Sequence, residues 1–135
     1  MAQEDTIRKI MVDGDVEALV ILADQTGKAL ADQKLTTNQI RNVFGTVRQI
    51  QMRWPADESR AYRDAILLRP KLAYFAEREK KTKGGGSTGM ETLQQVLEPA
   101  LKHLTEDNKP SFKRFERFAE LFEAIVAYHK KHGGK

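Results

Sequence analysis

Between Thr36 and Trp54 the apolar residues Ile40, Val43, Phe44, Val47, Ile50 and Trp54 recur at i, i+3, i+4, i+7, i+10 and i+14. That is the period of one face of an α-helix. Nowhere in the 135 residues does a Val/Ile/Thr-rich run alternate with polar residues between hairpin turns, so strands are not expected. The expected fold is all-α: a single compact helical bundle of about five to six helices spanning 1–135. At 40% hydrophobic residues the chain has enough apolar side chains for one modest core.

Local signals divide the bundle. Asp15 is placed to cap a helix reaching Asp32, with Val16, Leu19, Val20, Ala23 and Leu30 inward. Gly27 should weaken that helix by about 1 kcal/mol relative to Ala. Residues 1–14 are expected as a flexible N-terminus, with room for a short helix over 3–12. Thr36 and Gln39 form a capping box for the next helix, which Pro55 ends. Asp57 or Ser59 starts a third helix running to about Leu68, with Tyr62, Ala65 and Ile66 along it. Pro70 opens a fourth, with Leu72, Phe75 and Ala76 inward and Lys71, Arg78 and Lys81 outward. A Gly-rich stretch over 82–89 reads as a flexible loop. From Met90 to about Leu104, the residues Leu93, Val96, Leu97, Ala100, Leu101 and Leu104 mark another helix. Pro99 either kinks it or begins a new one. Ser111 caps a last helix with Phe115, Phe118, Ala119, Phe122, Ile125, Val126 and His129 inward, and Gly133-Gly134 allows its end to fray.

Charge is distributed unevenly. Residues 1–33 carry seven acids against three bases, 34–83 carry twelve bases against five acids, and 84–135 carry eight bases against seven acids. The segments are therefore net −4, +7 and +1 within a total of +4. A concentrated basic middle is a better sign of an anionic partner than the total. Its candidate anion-binding residues are Lys34, Arg41, Arg48, Arg53, Arg60, Arg63, Arg69, Lys71, Arg78, Lys80 and Lys81. Arg41 and Arg48, seven apart, fall within about 20° of each other around their helix. Solvated helix faces would use the same residues, and the sequence alone leaves both readings open.

Other chemistry is sparse. With no cysteine, disulfides, thiolate metal sites and Cys nucleophiles are excluded. His103, His129 and His132 form no HExxH or close His/acid cluster, so no metal and no cofactor is expected. His129 reads as a hydrogen-bonded core histidine. Gly89 is followed by Met90, so the Gly-rich stretch is not a phosphate loop. A mobile basic arm, joined to Lys80, Lys81 and Lys83, is a further reading of it. None of the 19 acids sits plainly on an apolar face, as a tuned acid–base pair would require. Tyr62, Tyr74 and Phe75 among Arg60, Arg63 and Arg78 have the composition of a base-stacking surface, with half-burial as the alternative for the tyrosines. No secretory signal and no membrane span is visible, so a cytoplasmic location with no membrane partner is expected.

Three stretches taken together carry a family resemblance: Leu35-Thr36-Thr37-Asn38-Gln39-Ile40-Arg41-Asn42-Val43-Phe44, Leu68-Arg69-Pro70-Lys71-Leu72-Ala73-Tyr74-Phe75-Ala76-Glu77-Arg78, and Phe115 through Phe122 to Lys130. In this order and spacing, over about residues 34–131, they resemble the small, all-helical subunit of type III-A CRISPR–Cas effector (Csm) complexes. The family's TxxQIR motif falls on Thr36, Gln39, Ile40 and Arg41. The resemblance implies a non-catalytic subunit of an antiviral complex. Its basic face would contact the backbone of the CRISPR RNA and target RNA. Its protein partners would be the large subunit, the repeated backbone subunits and copies of itself. Met52, Trp54 or Tyr128 could serve those protein neighbours. Two alternatives stand beside it. One is a helical protein-interaction module without RNA contact. The other is a helix-turn-helix-like DNA-binding regulator, suggested by the Trp54-Pro55-Ala56-Asp57 turn but weakened by the short helix expected after it.

Overall fold

The computed structural model describes residues 2–82 and 88–135. Of the Gly-rich stretch expected over 82–89, residues 83–87 lie outside the described residues. Of the basic arm expected with it, Lys83 lies there too, whereas Lys80 and Lys81 are helical. The described residues hold six α-helices and no strand. They are α1 (Ala2–Arg8), α2 (Val16–Asp32), α3 (Thr37–Arg53), α4 (Glu58–Thr82), α5 (Gly89–Thr105) and α6 (Phe112–Lys131), with one π-helical turn, Lys9–Asp13, between α1 and α2.

Polar side chains near the helix starts supply acceptors where the first backbone N–H groups have no intrahelical partner. Asp15 accepts from the Ala18 amide at 3.0 Å, Ser111 from Arg114 at 3.3 Å and Asp57 from Arg60 at 3.2 Å. Thr36 Oγ1 accepts from the Gln39 amide at 3.1 Å while Gln39 Oε1 accepts from the Thr36 amide at 2.9 Å, completing the capping box. Thr88 does the same service for α5 through the Glu91 amide at 3.3 Å. The N-terminal segment is tied down. Ile7, Ile10 and Met11 are buried, and Arg117 of α6 donates to the carbonyls of Met11 and Val12 at 3.0 and 3.1 Å.

Aromatic residues fill the centre. Trp54 stacks on Phe115 at 5.0 Å, Phe115 meets Phe118, Phe118 meets Phe122, and Phe122 meets Phe44 of α3. The inward residues expected for α5 are all buried, and those of α6 are buried except for the half-buried Val126. His129 is 1% exposed, and its Nε2 lies 2.6 Å from the Leu35 carbonyl. Since a carbonyl only accepts, Nε2 carries the proton.

Four features depart from the expectations drawn from sequence. First, α4 runs unbroken through Pro70. Its buried residues Ala61, Ala65, Leu68, Leu72, Ala76 and Glu79 continue in phase across the proline. Burial of that stripe therefore outweighs the roughly 3 kcal/mol local cost of an internal proline. Pro99 likewise lies inside α5. Second, Val16 and Val20 are 67% and 41% exposed, and Leu22 is inward in their place. Third, Gly27 is a packing device: a Cβ there would lie 2.6 Å from Tyr128 Cβ and 2.7 Å from the His129 backbone nitrogen. Its missing side chain lets α2 approach α6. Fourth, the C-terminal glycines fold back rather than fray. Gly133 takes a left-handed φ of 92°, and Gly134 is buried, donating to the His129 carbonyl at 2.8 Å.

Candidate nucleic-acid interface

Removing the break at Pro70 changes the phase of the basic residues. In one continuous helix, Arg60, Arg63, Lys71, Arg78 and Lys81 fall within about 80° around the axis. All five are exposed, as are Leu67 and Tyr74 in the same sector. The buried stripe through Ala61, Leu72 and Glu79 lies on the opposite side. From Arg60 to Lys81 the row is about 32 Å long at 1.5 Å per residue. No ion pair engages these five bases among the described residues.

The other expected residues divide into three groups. Arg53, Arg69 and Lys80 already face carboxylates: Arg53 Nη1 sits 2.6 Å from Asp64, Arg69 Nη2 3.4 Å from Glu98, and Lys80 Nζ 4.0 Å from Glu91. These pairs join α4 to its neighbours and occupy charge that a phosphate would otherwise meet. Each is partly solvent-exposed and stabilises by at most about 1 kcal/mol. Arg41 and Arg48 share one flank of α3, as their spacing requires. Arg48 lies over the Phe44 ring at 5.4 Å and 3.7 Å from Glu123 of α6. α4 packs on the other flank of α3, through Gln39 to Glu79 and Arg53 to Asp64. The Arg41/Arg48 pair and the α4 row are therefore separate patches. Lys34 is exposed in the α2–α3 connection, with a left-handed φ of 63°.

Glu79 was not legible as a special acid. It is 5% exposed at the end of α4's apolar stripe. Its carboxylate accepts from the Met90 amide at 2.8 Å, in the first turn of α5, and from Gln39 Nε2 at 3.1 Å. It joins the capping box of α3 to the start of α5, where the helix dipole favours negative charge. The signal available in the sequence was its phase, eighteen residues after Ala61. A cleft of about 380 Å³ lies beside it between α3 and α4, lined in part by Asn42, Phe75 and Arg78. Glu79 has no second carboxylate close by in that cleft's lining, and hydrogen-bond donors engage it, so the pairing needed for acid–base work is not formed there.

The turn between α3 and α4 is short, as the regulator reading required, and the helix after it has 25 residues instead of ending near Leu68, so its length no longer weighs against that reading. Of the residues considered for protein neighbours, Trp54 is buried at 3% exposure and Tyr128 half-buried, while Met52 is 81% exposed. Among the described residues no group of three or more His, Asp or Glu is placed to hold a metal ion, and no helix is long and apolar enough to cross a membrane.

A family model described as Csm2 Type III-A matches residues 13–135. No curated protein and no solved structure matches the chain.

Proposed function

The chain belongs to the Csm2 Type III-A family and is thus a small subunit of a type III-A CRISPR effector complex; on that premise we propose that it is a non-catalytic subunit that holds RNA by its backbone through the exposed basic row of α4. The observation that carries this reading is the row itself: five exposed cations on one face of one continuous helix, about 32 Å long, with no ion pair engaging them among the described residues. Arginine forks suit phosphate oxygens, and a row of this kind needs no base contact. The deep, narrow major groove of an A-form duplex excludes side chains, so such a face meets phosphates and 2′-hydroxyls without reading sequence. In a guide-programmed complex base pairing supplies the specificity. Arg41, beside an Arg48 already paired with Glu123, forms a second, smaller contact on the far flank of α3. Other subunits of the complex, and copies of this chain, cover the remaining surface, where the exposed Met52 and the acidic residues 1–33 offer contacts of different chemistry.

The test is salt-dependent binding of unrelated RNA sequences by the full-length chain carrying Arg60→Gln, Lys71→Gln and Arg78→Gln together. Affinity should fall for every sequence, and the slope of log K against log salt should shrink by about 3, near one for each phosphate no longer engaged. Unchanged binding and slope would leave a protein-interaction module without RNA contact. Selective protection of one duplex-DNA sequence would leave a regulator.

A further inference from the structure

Tyr74 stands out within the α4 row. It is 62% exposed, the most exposed aromatic ring described, although half-burial was one reading of it from sequence. Lys71 and Arg78, three residues before and four after, lie on the same face within about 5–6 Å between Cβ atoms. Phe75, half-buried in the α3–α4 cleft, meets the Tyr74 ring at 5.7 Å and 60°. That contact backs one part of the Tyr74 ring and leaves the rest to solvent. Arg78 belongs to both the row and the cleft lining, so a strand following the row passes the cleft mouth at Arg78, about one helical turn beyond Tyr74.

A ring presented between two phosphate-binding cations fits a nucleobase whose own phosphates those cations hold. Bases inside a continuous duplex are stacked on each other and offer no free face. We propose that Tyr74 is a base-stacking platform, so that the α4 row takes RNA with an unpaired base at this point in preference to an uninterrupted duplex. The inference rests on the RNA-backbone reading above and adds a ligand class to it. Tyr74 faces solvent, so its replacement leaves the core untouched.

The experiment measures binding of three RNAs to the full-length chain: a single strand, a fully paired duplex of the same length, and that duplex with one unpaired base. Tyr74→Ala should weaken the single strand and the interrupted duplex by about 5- to 150-fold, the range of one base–aromatic stack, and leave the paired duplex unchanged. Tyr74→Phe should restore binding, since the ring and not the hydroxyl does the stacking. The salt slope should be the same for wild type and Tyr74→Ala, because the charge is unchanged. Lys71→Gln with Arg78→Gln should instead weaken all three RNAs and flatten the slope. If Tyr74→Ala binds every RNA like wild type while the charge variant is weakened, stacking is overturned and the backbone reading stands. If the charge variant also binds normally, both are overturned. An equal loss on all three RNAs with Tyr74→Ala overturns the preference for an unpaired base.

Discussion

Replacing Gly27 by Ala sets two local rules against each other. Helix propensity alone favours alanine inside α2 by about 1 kcal/mol. The added Cβ, however, would sit 2.6 Å from Tyr128 Cβ, 2.7 Å from the His129 nitrogen and 2.8 Å from the Tyr128 carbonyl carbon. Two of those three atoms are backbone and cannot rotate away. Relief requires α2 and α6 to separate by up to about 1 Å, and a gap of that order forfeits a quarter to a half of each affected dispersion interaction. Overpacking costs about 1–3 kcal/mol, with the upper end applying to an unyielding neighbour. The net expectation is destabilisation by about 2 kcal/mol. Gly45 is the control: it lies in α3 with nothing within 4 Å of an added Cβ, so Gly45→Ala should stabilise by about 0.5–1 kcal/mol. Urea unfolding followed by Trp54, the sole tryptophan and buried against Phe115, reports both. Opposite shifts of the two midpoints are expected. A stabilising Gly27→Ala would refute the close-approach argument and leave only propensity.

Three further outcomes follow from named contacts. Glu79→Ala strands the Met90 amide and Gln39 Nε2; with buried donors left unpaired, stability should fall by about 1–3 kcal/mol, read from the same unfolding curves, and no loss contradicts the linking role of Glu79. Although burial pushes the Glu106 carboxyl up, hydrogen bonds and charge from His103 and Arg114 hold it below its ordinary pKa. A lowered folded pKa gives stability that is present above the unfolded value and lost as pH falls through the folded one. Wild type should therefore lose more stability over that acid window than Glu106→Gln, and equal losses contradict the assignment. Arg41→Ala with Arg48→Ala should leave helix content by circular dichroism intact and weaken RNA capture less than neutralising the α4 row; the reverse order would exchange the roles of the two patches.

Much of the bundle was legible because capping and periodicity act over short distances. Thr36 and Gln39 specify the start of α3 by reciprocal hydrogen bonds, and α5 keeps its apolar phase through Pro99. The proline at 70 misled for a physical reason: its cost is local, while the burial that overrides it comes from the helices packed on α4. That false break also divided the basic row. Lys71, Arg78 and Lys81 were expected outward, but Arg60 and Arg63 join them in one sector only once the helix is continuous. Val16 and Val20 failed because their phase fits two faces of α2, and only packing selects the one through Leu19 and Leu22. Partners such as Asp64 for Arg53 and Glu98 for Arg69 come from other turns or helices, so no local pattern identifies which bases are already neutralised.

The most direct measurement is crosslinking of RNA to protein in the assembled effector complex, with the attachment sites mapped by mass spectrometry. Crosslinks along the exposed face of α4, from Arg60 through Tyr74 to Lys81, are expected. A chain whose crosslinks spare that face altogether while the complex still holds its RNA would contradict the assignment of α4 as the RNA-bearing helix.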